Sequence, residues 1–445
     1  MKSLTKLAIP IMASSFLGTL YNITDMAWIG LLGAKAVAGV GVGGMFTWLS
    51  QGLASMARMG GQVQVAQYIG RGEPKRAHQY AQTAVQLSVF SGLLFAAVVL
   101  IFIKPLVGFF QLTDPEALEA AFSYTKIACG LIVFSFVTFT LTGIYTAQGD
   151  SRTPFVANLI GLATNMILDP LLILGAGPIP SLGVTGAAIA TVTAQCVSCI
   201  LVLRCLYKSE SSYQLRFSKL MIKKVYLGQI FQVGIPAGIQ STVINFSNVL
   251  LQSSVNSFGS VAMAGYTAAN NIFGFLYASI NAVTQACMSF TSQNYGVGKW
   301  KRMDRVLVDC LILSTTIALI LGGGAYLFGP ELLKIYTDDP QVISCGMEIL
   351  LYTTVTYFLC GWMDLFPGSL RGMGKSIVPM LLSVIGTVGT RIVWIFGIFP
   401  RFRSLKILFI SYPVSWIITI ILQVICFIFV RRIVYAPLKK REAAI

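Results

Sequence analysis

The sequence predicts an all-α membrane protein of twelve transmembrane helices, arranged as two six-helix bundles related by a parallel internal repeat. Three observations carry that prediction. The first is composition: 56% of the 445 residues are hydrophobic and only 11% are charged, against about 25% charged in a soluble domain. The second is a series of long apolar runs, among them Leu87–Ile103, Ile312–Phe328 and Leu408–Val430. Each is close to the roughly 20 residues that cross a hydrocarbon core. The third is that the chain reads alike twice over.

Helices are expected near 7–31, 36–69, 79–103, 118–147, 154–174 and 183–207 in the first half. In the second they are expected near 227–257, 261–295, 303–328, 341–370, 376–400 and 405–432. The formal charge of +16 might suggest a nucleic-acid partner, but its distribution argues against one. Most of the 32 Lys and Arg fall in alternate loops and at both termini. The other loops hold only Lys35, Lys104, Lys334, Arg401, Arg403 and Lys406. That asymmetry is the positive-inside rule, and it predicts an inner-membrane protein with both termini cytoplasmic. The first apolar segment runs to about Leu31 without a small-residue cleavage site, so no cleavable signal is expected.

The repeat is explicit. Ala8-Ile9-Pro10 matches Gly234-Ile235-Pro236, and Gly33 and Gly39 match Gly259 and Gly265. The loop from Gln67 to Arg76 matches that from Gln293 to Arg302. Further on, Thr113-Asp114 pairs with Thr337-Asp338, then Gly149, Pro154 and Gly161 with Gly374, Pro379 and Gly386. Six helices per copy is an even number, so both copies enter from the same side and the repeat is parallel. The organisation predicted is a lobe over 1–207, a basic cytoplasmic linker over 208–224 and a second lobe over 225–445. Two such lobes form a cleft, and rocking around a midplane site is a common way to alternate access.

Ionisable groups inside a bilayer are costly and mark function or a partner. Three aspartates stand well inside predicted helices: Asp25, Asp169 and Asp364. At about 1.5 Å per residue, Asp25 lies roughly 28 Å beyond Lys6 and Asp169 roughly 22 Å beyond Pro154, both in the outer half. Asn165 precedes Asp169 by four residues and shares its face. In the second half Asp25 aligns with Leu251, Asn165 with Thr390 and Asp169 with Trp394. Carboxylates needed for the shared fold would recur, so their confinement to one lobe favours a function. The plainer alternative is a structural network joining Asp25 to Asn165. Pro170 leaves the Met166 carbonyl without its usual helical donor. Pro10 and Pro236 sit early in two lobe-lining helices, so all three prolines are candidate hinges.

Four motifs carry a family resemblance: Tyr21-Asn-Ile-Thr-Asp-Met-Ala-Trp-Ile-Gly30, Asn165-Met-Ile-Leu-Asp-Pro170, Leu182-Gly-Val-Thr-Gly-Ala-Ala-Ile-Ala-Thr191 and Gly368-Ser-Leu-Arg-Gly-Met-Gly374. Together they resemble the multidrug and toxic compound extrusion (MATE) family, nearer its DinF-like and MepA-like branch, over essentially the whole chain. The resemblance implies two six-helix bundles, a central cavity and export of organic cations against H⁺ or Na⁺. It implies a first-lobe cation site of Asp25, Asn165, Asp169, the Ala187 carbonyl and Thr191, an oxygen set suited to a hard cation. Two carboxylates sharing a dry site cannot both ionise cheaply, which would let the pair take up and release H⁺ or Na⁺. The second lobe departs from NorM-like members, because Ile244 and Asn245 stand near the place of their helix-7 glutamate. Asp364 is then a cavity acid or a partner of Arg371.

Substrate-cavity candidates are Asn22, Trp28, Phe46, Asp364 and Arg391, with Trp48, Trp362, Phe273 and Tyr277 as further aromatics. A cavity-facing Arg58 or Arg391 would repel organic cations; otherwise each should pair with a carboxylate or bond helix carbonyls. Gly39-Val-Gly-Val-Gly-Gly44 fits a dinucleotide pattern but has no preceding strand. Cys196-x-x-Cys199 has no second pair, and His78 is the only histidine, so neither a metal centre nor a catalytic triad is predicted. The expectation is a monomeric transporter of small toxic organic compounds, with no enzyme activity and no cofactor beyond H⁺ or Na⁺ as coupling ion. The alternatives are a lipid-linked oligosaccharide flippase of the same superfamily and an intramembrane prenyltransferase. The flippase should show several cavity Arg and Lys. The prenyltransferase needs more grouped carboxylates than Asn165-x-x-x-Asp169 supplies.

Overall fold

Among the described residues the chain forms seventeen α-helices and two π-helical stretches, and no strand. The structure is a computed structural model that describes residues 1–112, 114–175, 180–208 and 223–443. Residues 209–222 of the predicted 208–224 linker lie outside the described residues.

The first half comprises α1 (Lys2–Gly30), α2 (Ala34–Gly70), α3 (Pro74–Ile101), α4 (Ile103–Gly108), α5 (Pro115–Gly130), α6 (Val133–Gln148), α7 (Arg152–Ile173) and α8 (Gly183–Lys208). The second comprises α9 (Lys224–Asn256), α10 (Ser260–Val297), α11 (Trp300–Leu327), α12 (Gly329–Lys334), α13 (Pro340–Thr354), α14 (Tyr357–Gly372), α15 (Ile377–Ser383), α16 (Thr390–Val393) and α17 (Leu405–Ala443). The π-helical stretches, Val384–Gly389 and Trp394–Ile398, flank α16.

Seven helices are long and apolar enough to cross a membrane, and the bent pairs α5–α6 and α13–α14 bring the spans to as many as nine. Helices α2, α9 and α10 have 37, 33 and 38 residues, ample for a span, but carry enough Ser, Asn and Gln to lower their hydropathy. Counting these three gives the twelve spans expected, six per half.

The repeat is visible in the backbone. The α5–α6 bend is 46° and the α13–α14 bend 44°, so predicted helices 118–147 and 341–370 are each two helices. Asp114 caps α5 through the Glu116 amide at 2.9 Å, and Asp339 caps α13 through the Gln341 amide at 2.8 Å. A proline follows each cap at the first helical position, where its missing N–H costs nothing. The register there therefore pairs Asp114 with Asp339, and not with Asp338 as the Thr-Asp match predicts. Lys35 bridges Asp114 at 3.1 Å and Glu116 at 3.0 Å, which holds the exposed Asp114 carboxyl below the usual carboxylate range.

The chain divides into two compact units: Met1–Met12, Gly70–Gly72 and Ile235–Ile445 form one, and Ala13–Ile69 with Glu73–Gly234 the other. They are not quite the two halves. Met1–Met12, which include the first eleven residues of α1, belong with the second half, where Leu4, Leu7, Ala8 and Ile11 are buried in a cluster with Leu307, Leu365 and Leu370. Residues up to Gly234 of α9 belong with the first half, where Ile230 is fully buried. Pro10 and Pro236 lie inside α1 and α9, close to these division points, and Pro170 lies inside α7.

Close packing of α7 and α8 builds the first-half site. A Cβ on Gly186 would fall 2.3 Å from the Leu172 carbonyl oxygen, and one on Gly161 would fall 2.0 Å from Ser198 Oγ. Small residues let helix backbones approach in this way. Ser198 Oγ also donates to the Ala157 carbonyl at 3.1 Å.

Candidate functional site

Helices α1, α5, α7 and α8 meet in an apolar cluster of Ile29, Tyr124, Ile173 and Ala187, with Ala36 and Val40 from α2. One turn before Ile29 on α1 is Asp25, and one turn before Ile173 on α7 is Asp169. One turn after Ala187 on the oppositely running α8 is Thr191. Since residues four apart share a helix face, the three polar side chains stack on the same side of the apolar cluster. Asp25 is 6% exposed, Asn165 and Asp169 0%, and Thr191 6%. Asp25 and Asp169 interact electrostatically, and Tyr21 and Tyr124 both feel the two acids and lie beside Thr191.

The hydrogen bonding is incomplete. Asn165 Nδ2 donates to Asp169 Oδ1 at 3.0 Å. Asn165 thus braces the acid on its own helix, and the alternative Asp25–Asn165 link is not formed. Tyr21 Oη, Asp25 Oδ1, Asn165 Oδ1, Asp169 Oδ2 and Thr191 Oγ1 are buried without a hydrogen-bond partner. No Lys or Arg forms an ion pair with either acid among the described residues. Buried charge without a partner is strongly unfavourable, so this oxygen set has the chemistry to hold a proton or a small hard cation. The site thus unites Asp25, Asn165, Asp169, Ala187 and Thr191 and adds two tyrosines. Tyr21 had a legible signal, four residues before Asp25. Tyr124 had none, because nothing in the sequence tells which face of α5 turns inward.

The other candidates are scattered. Asn22 is exposed on α1, and Trp28 packs on the apolar cluster around Ile29. Phe46 is buried edge-on to Phe110, with ring centroids 5.8 Å apart, among apolar residues. Trp48 is exposed, Phe273 stacks on Tyr357, and Trp362 Nε1 donates to Thr315 Oγ1 at 2.8 Å. Asp364 is half-buried on α14 and is attracted by Arg371 without a direct ion pair. Arg371 instead donates to Gln240 Oε1.

Among the described residues, Arg58 and Arg391 neither pair with a carboxylate nor bond a helix carbonyl. Arg58 lies over the Phe139 ring at 4.3 Å. Arg391 donates to Ser247 Oγ at 3.0 Å and Asn248 Oδ1 at 2.7 Å, and lies over Tyr412 at 4.6 Å.

Comparison with known proteins bears on the family and the fold. The chain is 28% identical over 393 residues to a probable multidrug resistance protein NorM of Thermotoga maritima, covering 86% of this chain and 82% of the relative. It is 22% identical to the multidrug export protein MepA of Staphylococcus haemolyticus, covering 98% and 93%. Its fold matches the outward-facing conformation of a multidrug resistance MATE family transporter of the MOP superfamily with a TM-score of 0.87, at 22% identity and over 99% and 96% of the two chains. The MatE family profile matches residues 10–171 and again 236–396, once in each half. On that double match across most of its length, the chain belongs to the MatE family of multidrug transporters.

Proposed function

We propose that this multi-pass membrane transporter is a secondary exporter that exchanges amphipathic organic compounds, cations among them, for H⁺ or Na⁺. The single observation behind the coupling is the set of five buried, unpartnered oxygens around Asp25 and Asp169. Two acids in a dry site cannot both stay ionised and unpaired, so each transport cycle has a reason to load and unload a cation there. Loading would redraw the hydrogen bond from Asn165 to Asp169 and relieve the charge beside α1. That helix carries Pro10 and, like α9, has residues in both compact units, which suits it to carry the change beyond its own lobe. Alternating access of the two lobes would follow, with both termini in the cytoplasm as the basic loops suggest.

One inward charge at 100 mV supplies about 2.3 kcal/mol, enough for roughly fifty-fold accumulation of a neutral substrate moving the other way. For a monovalent cation exchanged one for one, voltage cancels and only the chemical gradient of the coupling ion drives export.

The experiment is expression in a bacterial host stripped of its own efflux pumps. The expected result is raised resistance to cationic dyes and lower cellular ethidium. Unchanged resistance and dye content, with the protein verified in the membrane, would overturn the export reading.

A further inference from the structure

The second half carries a cation one residue from the register where the first half carries the buried side-chain oxygen of Asn165. With the repeat aligned so that Asn165 matches Thr390 and Asp169 matches Trp394, Arg391 falls in the place of Met166. Its two hydrogen-bond acceptors, Ser247 and Asn248, stand where the first half has Tyr21 and Asn22. The corresponding helices, α1 with α7 and α9 with the α15–α16 span, thus bring together a polar cluster in each half, with the charge reversed.

The local backbone is unusual at this residue. Arg391 sits on the single α-helical turn Thr390–Val393 between two π-helical stretches, whereas α7 is a plain α-helix. Such π-turns are rare and recur at functional sites. Here they set the rotation at which Arg391 points to α9 and to Tyr412 of α17.

The guanidinium is not neutralised. It is 3% exposed, and its Nε has no hydrogen-bond partner. No carboxylate pairs with it among the described residues. A hydroxyl, an amide oxygen and a ring face solvate a cation but leave its charge uncompensated. A planar guanidinium is built to receive a carboxylate in two-point contact. Aromatic side chains adjoin it: Tyr412 meets Tyr266 with hydroxyls 3.4 Å apart, and Tyr412 also packs on Trp416.

We propose that Arg391, with Ser247 and Asn248, is a subsite for the carboxylate of an amphipathic aromatic substrate. The class it selects is aromatic acids and zwitterions. The inference rests on the export reading for its biological use, but the binding it describes does not require transport.

The test uses the purified full chain in detergent and two dyes on one chromophore: rhodamine 110, which bears a free carboxylate, and its methyl ester, rhodamine 123. By fluorescence anisotropy the wild type should bind rhodamine 110 more tightly, by about tenfold or more for a charge-assisted contact. Arg391→Gln should abolish that preference while ester binding holds, and Arg391→Lys should keep part of it. Equal binding of the two dyes by the wild type overturns the proposal whether or not the variants fold. Equal weakening of both dyes in a well-folded Arg391→Gln protein also overturns it, as does displacement of rhodamine 110 by phosphatidylglycerol, which would make this a lipid-headgroup site. Carboxylate preference without dye movement in vesicles would uphold the subsite and sink only the export reading.

Discussion

Asn165 donates its side-chain amide to Asp169 one turn further along α7, at 3.0 Å, inside a fully buried environment. The bond fixes one carboxylate oxygen and leaves the other, together with the Asn165 carbonyl oxygen, unpartnered. Asn165→Ala should therefore let the carboxylate rotate away from Asp25. A hydrogen bond to a charged group contributes about 1.5–3 kcal/mol, so the concentration of coupling ion giving half-maximal transport should rise about tenfold or more. An unchanged ion dependence would remove Asn165 from the site.

Gly186 governs how near α8 lies to α7. A methyl group there would meet the Leu172 carbonyl oxygen at 2.3 Å, and that atom is backbone, with no flexible end to move. Gly186→Ala should cost about 1–3 kcal/mol through forced helix separation and should lower the detergent-solubilised melting temperature. Gly41→Ala is the control, because nothing lies within 4 Å of its added Cβ. Equal melting of the two variants would contradict the close-packed seam.

Much of the fold was legible because duplication prints twice. Each missed element has a physical reason. The bends after Gly130 and Thr354 lack an internal proline, so apolar composition reads straight through them. The π-helical stretches around Arg391 change hydrogen-bond register without any change of residue type. The short helices α4 and α12 lie between longer spans and resemble interrupted loops. Asp25, Asn165 and Asp169 were legible as polar groups at one depth, whereas Ala187 and Thr191 entered only through the family resemblance. The confinement of α1's first turns to the other compact unit was not legible, since periodicity says nothing of which neighbour a face meets.

Asp364 tests the assignment of coupling to one lobe. It lies seven residues, about 10 Å along a helix, from Arg371 and shares that residue's field. Asp364→Asn should change the efflux of some dyes severalfold and leave the ion dependence in place. Complete loss of ion-driven transport for every dye tried, with normal membrane expression, would move the coupling site to the second lobe.

The central claim is that Asp25 and Asp169 exchange a cation for substrate, and dye flux in reconstituted vesicles clamped at zero voltage tests it most directly. H⁺ and Na⁺ gradients are imposed one at a time on the wild type, Asp25→Asn and Asp169→Asn. The account predicts that one of the gradients drives dye movement in the wild type and that either substitution alone abolishes the response while the protein still inserts and binds dye. Wild-type flux indifferent to both gradients, or gradient-driven flux that survives in Asp25→Asn, would contradict it.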